Sequence, residues 1–87
     1  MLTIMSTIQI FGTKDLGRAI QEARTRRRLT QIELAQHANV SRGVLQKLEG
    51  GRGTVSLENA LKILHLLSLD LVVSPRANEP KPTDRGG

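Results

Sequence analysis

The sequence predicts an all-α fold, a compact bundle of about four short helices, followed by one short β-strand near the C-terminus. Three observations carry this. Four segments begin behind a hydroxyl residue (Thr13, Thr30, Ser41, Ser56) and then repeat apolar residues at spacings of three and four. After Ser68 the pattern switches to Leu69-Asp70-Leu71-Val72-Val73, alternating and β-branched. Beyond Ser74 the three prolines and two terminal glycines carry no apolar period, so 75–87 reads as a disordered tail. That leaves about 60 residues to build a core, enough for tightly packed helices.

Taken in order, residues 1–13 form an N-terminal arm or short strand, in which Ile8-Gln9-Ile10-Phe11 alternates weakly and Gly12 ends the run. The first helix is expected from about Lys14 to Arg27, capped by Thr13, with Asp15 in its first turn and Leu16, Ala19, Ile20 and Ala23 facing inward. Arg24-Thr25-Arg26-Arg27-Arg28 closes it. Cations there complement the helix dipole, and Arg26 to Arg28 also suit a phosphate. Arg24 differs, because it continues the row of Ile20 beside Ala23, where a charge needs a partner. Glu49 is the expected partner, with Arg52 as the carboxylate's alternative.

The stretch from Gln31 to Glu49 reads as two short helices joined by a tight turn. Thr30 caps the first, with Glu33 completing a T-x-x-E capping box, and Ser41 caps the second. The chain must reverse within Ala38-Asn39-Val40, and asparagine tolerates the left-handed backbone this needs. Ala35 is small enough for a close helix crossing. Leu34, Ala38, Val40, Val44, Leu45 and Leu48 form the inner face and leave Arg42, Gly43, Gln46 and Lys47 outside. That outer face is basic and amide-bearing, which suits a DNA groove.

Gly50-Gly51-Arg52-Gly53 follows without a preceding strand or a G-K-[ST] sequence, so it is no nucleotide loop. Gly50 is expected to end the helix, and Arg52 to reach a DNA phosphate. The last helix spans about Leu57 to Leu67 behind Ser56 and carries more apolar residues than one face needs. Leu57, Ala60, Leu61 and Leu64 are assigned to the core, and Ile63, Leu66 and Leu67 to a second stripe at a dimer interface. The 68–74 strand has no confident partner within the chain. Its expected partner is the same strand of a second copy, with Leu69, Leu71 and Val73 on one face packed against that stripe. Pairing with Ile8 to Phe11 is the intramolecular alternative.

Charge and composition narrow the function. Residues 14–52 hold nine Lys or Arg against four Asp or Glu, so the whole net charge of +5 sits around the helix pair. This is the footprint of a phosphate-backbone binder, whereas an interfacial membrane helix would need aromatic anchors and the chain has one Phe, no Trp and no Tyr. Without cysteines there is no disulfide framework, and a reducing cytoplasm fits. His37 and His65 each stand without a ligand-spaced neighbour. No catalytic group set recurs either, so neither an enzyme nor a metal or other cofactor is expected.

The small Ala35, the turn residue Asn39, the apolar Leu34, Val40, Leu45 and Leu48, and Gln31 together resemble the phage-repressor-like (Cro/C1, XRE) helix-turn-helix family over residues 14–67. The family often has glycine where this chain has Asn39. The resemblance implies that the second helix of the pair enters the major groove of double-stranded DNA, with Arg42 on guanine, Gln46 and Lys47 one turn further along, Gly43 close to the groove wall, and Gln31 and Ser41 on phosphates. It also implies pairing of a first-helix arginine with Glu49. The ending LSLDLVVSP resembles HipB-like antitoxins of bacterial toxin–antitoxin operons. That likeness implies a cytoplasmic, nucleoid-associated homodimer that represses its own operon from an inverted repeat and binds a HipA-like kinase toxin. A stand-alone repressor, or the antitoxin of another toxin class, is the alternative.

Overall fold

The computed structural model describes residues 7–76, which form four helices: α1 (Thr13–Arg26), α2 (Gln31–Ala38), α3 (Arg42–Gly50) and α4 (Leu57–Leu66). The expected tail from residue 77 onward and the first six residues lie outside the described residues. Residues 7–12 take no strand conformation and form an arm leading into α1.

Local chemistry sets the helix starts. The hydroxyls of Thr30, Ser41 and Ser56 accept the backbone N–H groups of Glu33, Val44 and Asn59 at 3.0, 3.1 and 3.1 Å. Each such cap stabilises its helix by about 1 kcal/mol. At α2 the exchange is reciprocal, since the Thr30 N–H donates to Glu33 Oε1 at 2.8 Å. The start of α1 corrects the expectation of a Thr13 cap. Asp15 accepts the N–H groups of Phe11 and Gly12 at 2.9 and 3.0 Å, and a carboxylate at the third helical position selects the residue three before it, here Gly12. The Thr13 hydroxyl instead donates to the Gly51 carbonyl at 3.1 Å, tying the start of α1 to the end of α3.

All four helices end alike. A left-handed residue stands just beyond each: Arg28 (φ 59°), Asn39 (57°), Gly51 (64°) and Ser68 (56°). The next N–H then reaches back to the last turn, from Leu29 to Arg24, Val40 to Ala35, Arg52 to Lys47 and Leu69 to Leu64, at 2.9–3.2 Å. These are Schellman ends. Asn39 reverses the chain as expected, whereas α3 stops at Gly51 and not at Gly50, which remains helical. A side chain at Gly51 would also collide with Lys14 of α1, so glycine is required there twice over.

Ile20 and Ala23 of α1, Leu34, Ala35 and Ala38 of α2, Leu45 and Leu48 of α3, and Ala60, Ile63, Leu64 and the adjoining Leu67 form one core. The α4 stripe is therefore rotated from the expected one. Ile63 and Leu67 are 0% and 2% exposed and lie in the core, so neither is available to a dimer interface. Leu57 and Leu61, assigned to the core from sequence, are 66% and 42% exposed, while Leu66 stays at the surface as expected. Both stripes obey helical spacing. The packing of α4 against α2 selects Ala60, Ile63, Leu64 and Leu67.

Among the described residues there is no β-strand. Leu69 is half-buried against the core, but Leu71, Val72 and Val73 are exposed and carry no ladder hydrogen bonds, neither to residues 8–11 nor to any other described segment. The described residues offer this segment no edge to pair with.

Candidate nucleic-acid interface

The position of α3 is set by its contact with α1. Gly17 is buried where the helices cross, and a Cβ there would overlap the carbonyl oxygens of Leu48 and Glu49. Two helical turns further along the same face of α1 lies Arg24. Its Nε donates to Glu49 Oε2 at 2.6 Å and its Nη2 to Glu49 Oε1 at 3.1 Å, a two-pronged pair. The side chains are only 11% and 5% exposed. The third guanidinium nitrogen, Nη1, donates to the Leu29 carbonyl at 2.7 Å and holds the chain leading into α2. A buried pair of this geometry fixes the relative pose of its helices, and losing one partner strands a charge.

Glu49's further partner is Gln31, not Arg52. Gln31 Nε2 donates to Glu49 Oε1 at 3.0 Å, so the start of α2 joins the same network. One of the two amide N–H bonds is thereby used and the other remains. Arg52 lies back over Gly50, where a Cβ would come within 3.2 Å of its Nε.

On the opposite side of α3, Arg42, Gly43, Gln46 and Lys47 are all exposed. Their side chains make no hydrogen bond or ion pair among the described residues, the single ion pair there being Arg24–Glu49. Ser41 is exposed too, and its oxygen accepts the capping bond from Val44, which leaves its own hydrogen to donate. Gly43 has a negative φ, and a Cβ on it would meet only the Ser41 hydroxyl oxygen at 3.8 Å, so nothing inside the protein requires glycine there. Sequence reasoning missed Gly17, whose necessity lies in a contact some thirty residues away. It also missed Gln21 of α1, which lines a cleft with Gln31 and Arg52.

Among the described residues, no group of three or more His, Cys, Asp or Glu is placed to hold a metal ion, and no helix is long and apolar enough to cross a membrane.

A family model described as helix-turn-helix matches residues 20–73. The chain belongs to the XRE-type helix-turn-helix family. It is a DNA-binding domain, and α2 and α3 are the two helices of its motif. Among solved structures it is similar to a HipB complex with an O2 20mer, with a TM-score of 0.72 and 24% identity over 80% of this chain and 97% of that one. The restriction-modification controller protein C.AhdI from Aeromonas hydrophila gives 0.61 and 31% over 67% and 88%. The clp gene regulator ClgR from Corynebacterium glutamicum gives 0.59 and 37% over 66% and 61%. The likeness to HipB, at that identity, is one of fold. No curated protein sequence matches the chain.

Proposed function

We propose that the protein is a bacterial, cytoplasmic repressor that acts as the antitoxin of a HipBA-like system, binding an inverted-repeat operator as a homodimer and holding a HipA-like kinase toxin. The observation that carries the DNA-binding part is the outer face of α3, which presents Gly43 and the exposed side chains of Arg42, Gln46 and Lys47, unpartnered among the described residues, to whatever docks on it. In this reading Arg42 donates a bidentate pair to guanine, Gln46 and Lys47 follow one turn on, Gly43 allows close approach, and Ser41, Gln31 and Arg52 hold phosphates. Selection of binding sites from a random duplex library tests it. An inverted repeat with half-sites about one helical turn apart is expected. Arg42→Ala should then cost about 1–3 kcal/mol on the selected site and relax one base step. Equal losses on selected and random DNA would make Arg42 a phosphate contact instead.

Dimerisation is supported by the apolar residues left uncovered, Leu57, Leu61 and Leu66 on α4 with Leu71 and Val73 beyond it. Segment 69–73 pairs with its copy and covers that face, in place of the Ile63 and Leu67 surface expected from sequence. Light scattering beside a variant carrying Leu71→Asp and Val73→Asp decides this, since a variant that still dimerises would end the idea. The toxin partner is supported by the fold likeness to HipB, including a HipA-HipB-O2-O3 complex at TM-score 0.71 and 23% identity. The higher identities to a controller protein and to a gene regulator favour a second reading, a stand-alone regulator. Co-expression with the product of the neighbouring gene separates the two. A stable complex with a kinase-like protein supports the antitoxin, and a neighbour that does not bind supports the stand-alone regulator.

A further inference from the structure

The polar network behind α3 opens onto a cleft of about 410 Å³ lined by Gln21, Gln31, Gln46, Glu49, Gly50 and Arg52. Its walls come from the second half of α1, the start of α2, the second half of α3 and the loop after it. It is therefore the place where α1, α2 and α3 meet at the flank of the outer face of α3. We infer that Gln21 of α1 is a further DNA contact, a neutral amide donor to the backbone phosphodiester that Gln31 and Arg52 are proposed above to hold, so that the cleft seats one phosphate mainly through amides. The inference rests on the DNA-binding reading above and extends it to a helix not assigned to DNA.

The chemistry of the walls supports an anion despite the carboxylate among them. Both oxygens of Glu49 are engaged by Arg24, one of them also by Gln31, and its side chain is nearly closed off from solvent. Its charge is thus balanced inside the protein. Glu49 acts here as a positioning residue: by accepting one N–H of the Gln31 amide it turns the nitrogen inward to itself and leaves the second N–H as a donor. Gln21 is exposed and its side chain makes no hydrogen bond among the described residues, so its NH₂ group is a second free donor. Arg52 supplies the one positive charge of the cleft that is uncompensated among the described residues. Gly50 shapes that supply, because a Cβ at this helical position would press on the guanidinium lying over it. Amide donors hydrogen-bond a phosphate without displacing counterions, whereas an arginine displaces about one. The cleft accordingly separates affinity from salt dependence.

The test uses the full chain and a selected operator in which single phosphates are replaced, one at a time, by uncharged methylphosphonates. Gln21→Ala is expected to weaken binding about fivefold on operator and random duplex alike, with the salt slope unchanged and the melting temperature within a degree or so. Arg52→Ala is expected to lower the slope by about one. The wild type should be sensitive to methylphosphonate at one phosphate per half-site, and Gln21→Ala should lose part of that sensitivity at the same phosphate. Gly50→Ala sharpens the result, since it is expected to raise the melting temperature while weakening binding through a displaced Arg52. If the wild type binds an operator but Gln21→Ala binds it equally well, or keeps full sensitivity at every phosphate, the seat is overturned and the DNA-binding reading stands. If the wild type binds no DNA at all, both fall.

Discussion

The two ends of the α-helical core are built on opposite terms. Where α1 crosses α3, the contact is tight and polar: a glycine removes a side chain, an arginine and a glutamate replace apolar packing, and each of the three guanidinium nitrogens donates a hydrogen bond. Where α4 leads into residues 69–76 the contact is loose and apolar, with leucines and valines left uncovered. Hydrogen bonds are directional and fix an orientation, and apolar burial fixes only which face turns inward. The first region therefore suits holding α3 at one angle, and the second suits accepting a surface that the described residues do not provide.

The largest expected effect breaks the first region. Arg24→Ala strands the Glu49 carboxylate and should cost about 3–5 kcal/mol, a drop in melting temperature of more than ten degrees, together with a loss of DNA affinity. Unchanged melting by circular dichroism would mean the pair holds nothing.

A contrast within α4 comes next. Ile63→Ala should cost about 2–5 kcal/mol in urea unfolding, and Leu61→Ala less than about 0.5 kcal/mol under conditions where the protein is monomeric. Equal costs would return α4 to the rotation first read from its spacing.

Smaller effects sharpen the comparison by sampling one residue from each region. Arg28 and Ser68 both occupy left-handed backbone that costs an L-residue about 1–2 kcal/mol. Arg28→Gly and Ser68→Gly should each gain up to about 1 kcal/mol, offset by glycine's larger entropy in the unfolded chain. Thermal denaturation of either variant below wild type would show that the original side chain makes a compensating contact.

The smallest effect is a pH dependence. The Thr30 backbone N–H, and after it the Thr30 hydroxyl, hold the Glu33 carboxyl below the usual carboxylate range. A carboxyl depressed in the folded state stabilises above its unfolded pKa, and that stabilisation disappears as the pH falls through the depressed value. The melting-temperature gap between wild type and Glu33→Gln should be level near neutrality and close in acid. A gap that widens toward acid would reverse the sign and exclude the capping bond as its source.

What could be read from sequence follows the range of the interactions. Caps at Thr30, Ser41 and Ser56, and the turn at Asn39, depend on residues three or four positions apart and were legible. The need for a partner at Arg24 was legible because a charge on an apolar row is conspicuous. The rotation of α4 was not, because its leucines satisfy two stripes equally and only the core it packs on, chiefly α2, chooses between them. Gly17 and Gly51 were opaque for a related reason: each is required by a backbone that the fold brings against it, Leu48 and Glu49 in one case and Lys14 in the other. The cap at Gly12 was within reach, since Asp15 stands three residues beyond it, but Thr13 drew the assignment by residue type alone.

That Arg42, Gly43, Gln46 and Lys47 make no side-chain hydrogen bond or ion pair among the described residues has a consequence for how such a protein changes over time. Because α3 is anchored from behind by Leu45, Leu48 and Glu49, the four outward positions can be exchanged with little cost to folding. Under the proposed reading, in which these positions contact the operator, duplicated copies of the gene would drift to new operators by substitutions at these positions alone. The same property makes the chain a practical frame for grafting: replacing the four residues together exchanges the outer face of α3 on an already folded support.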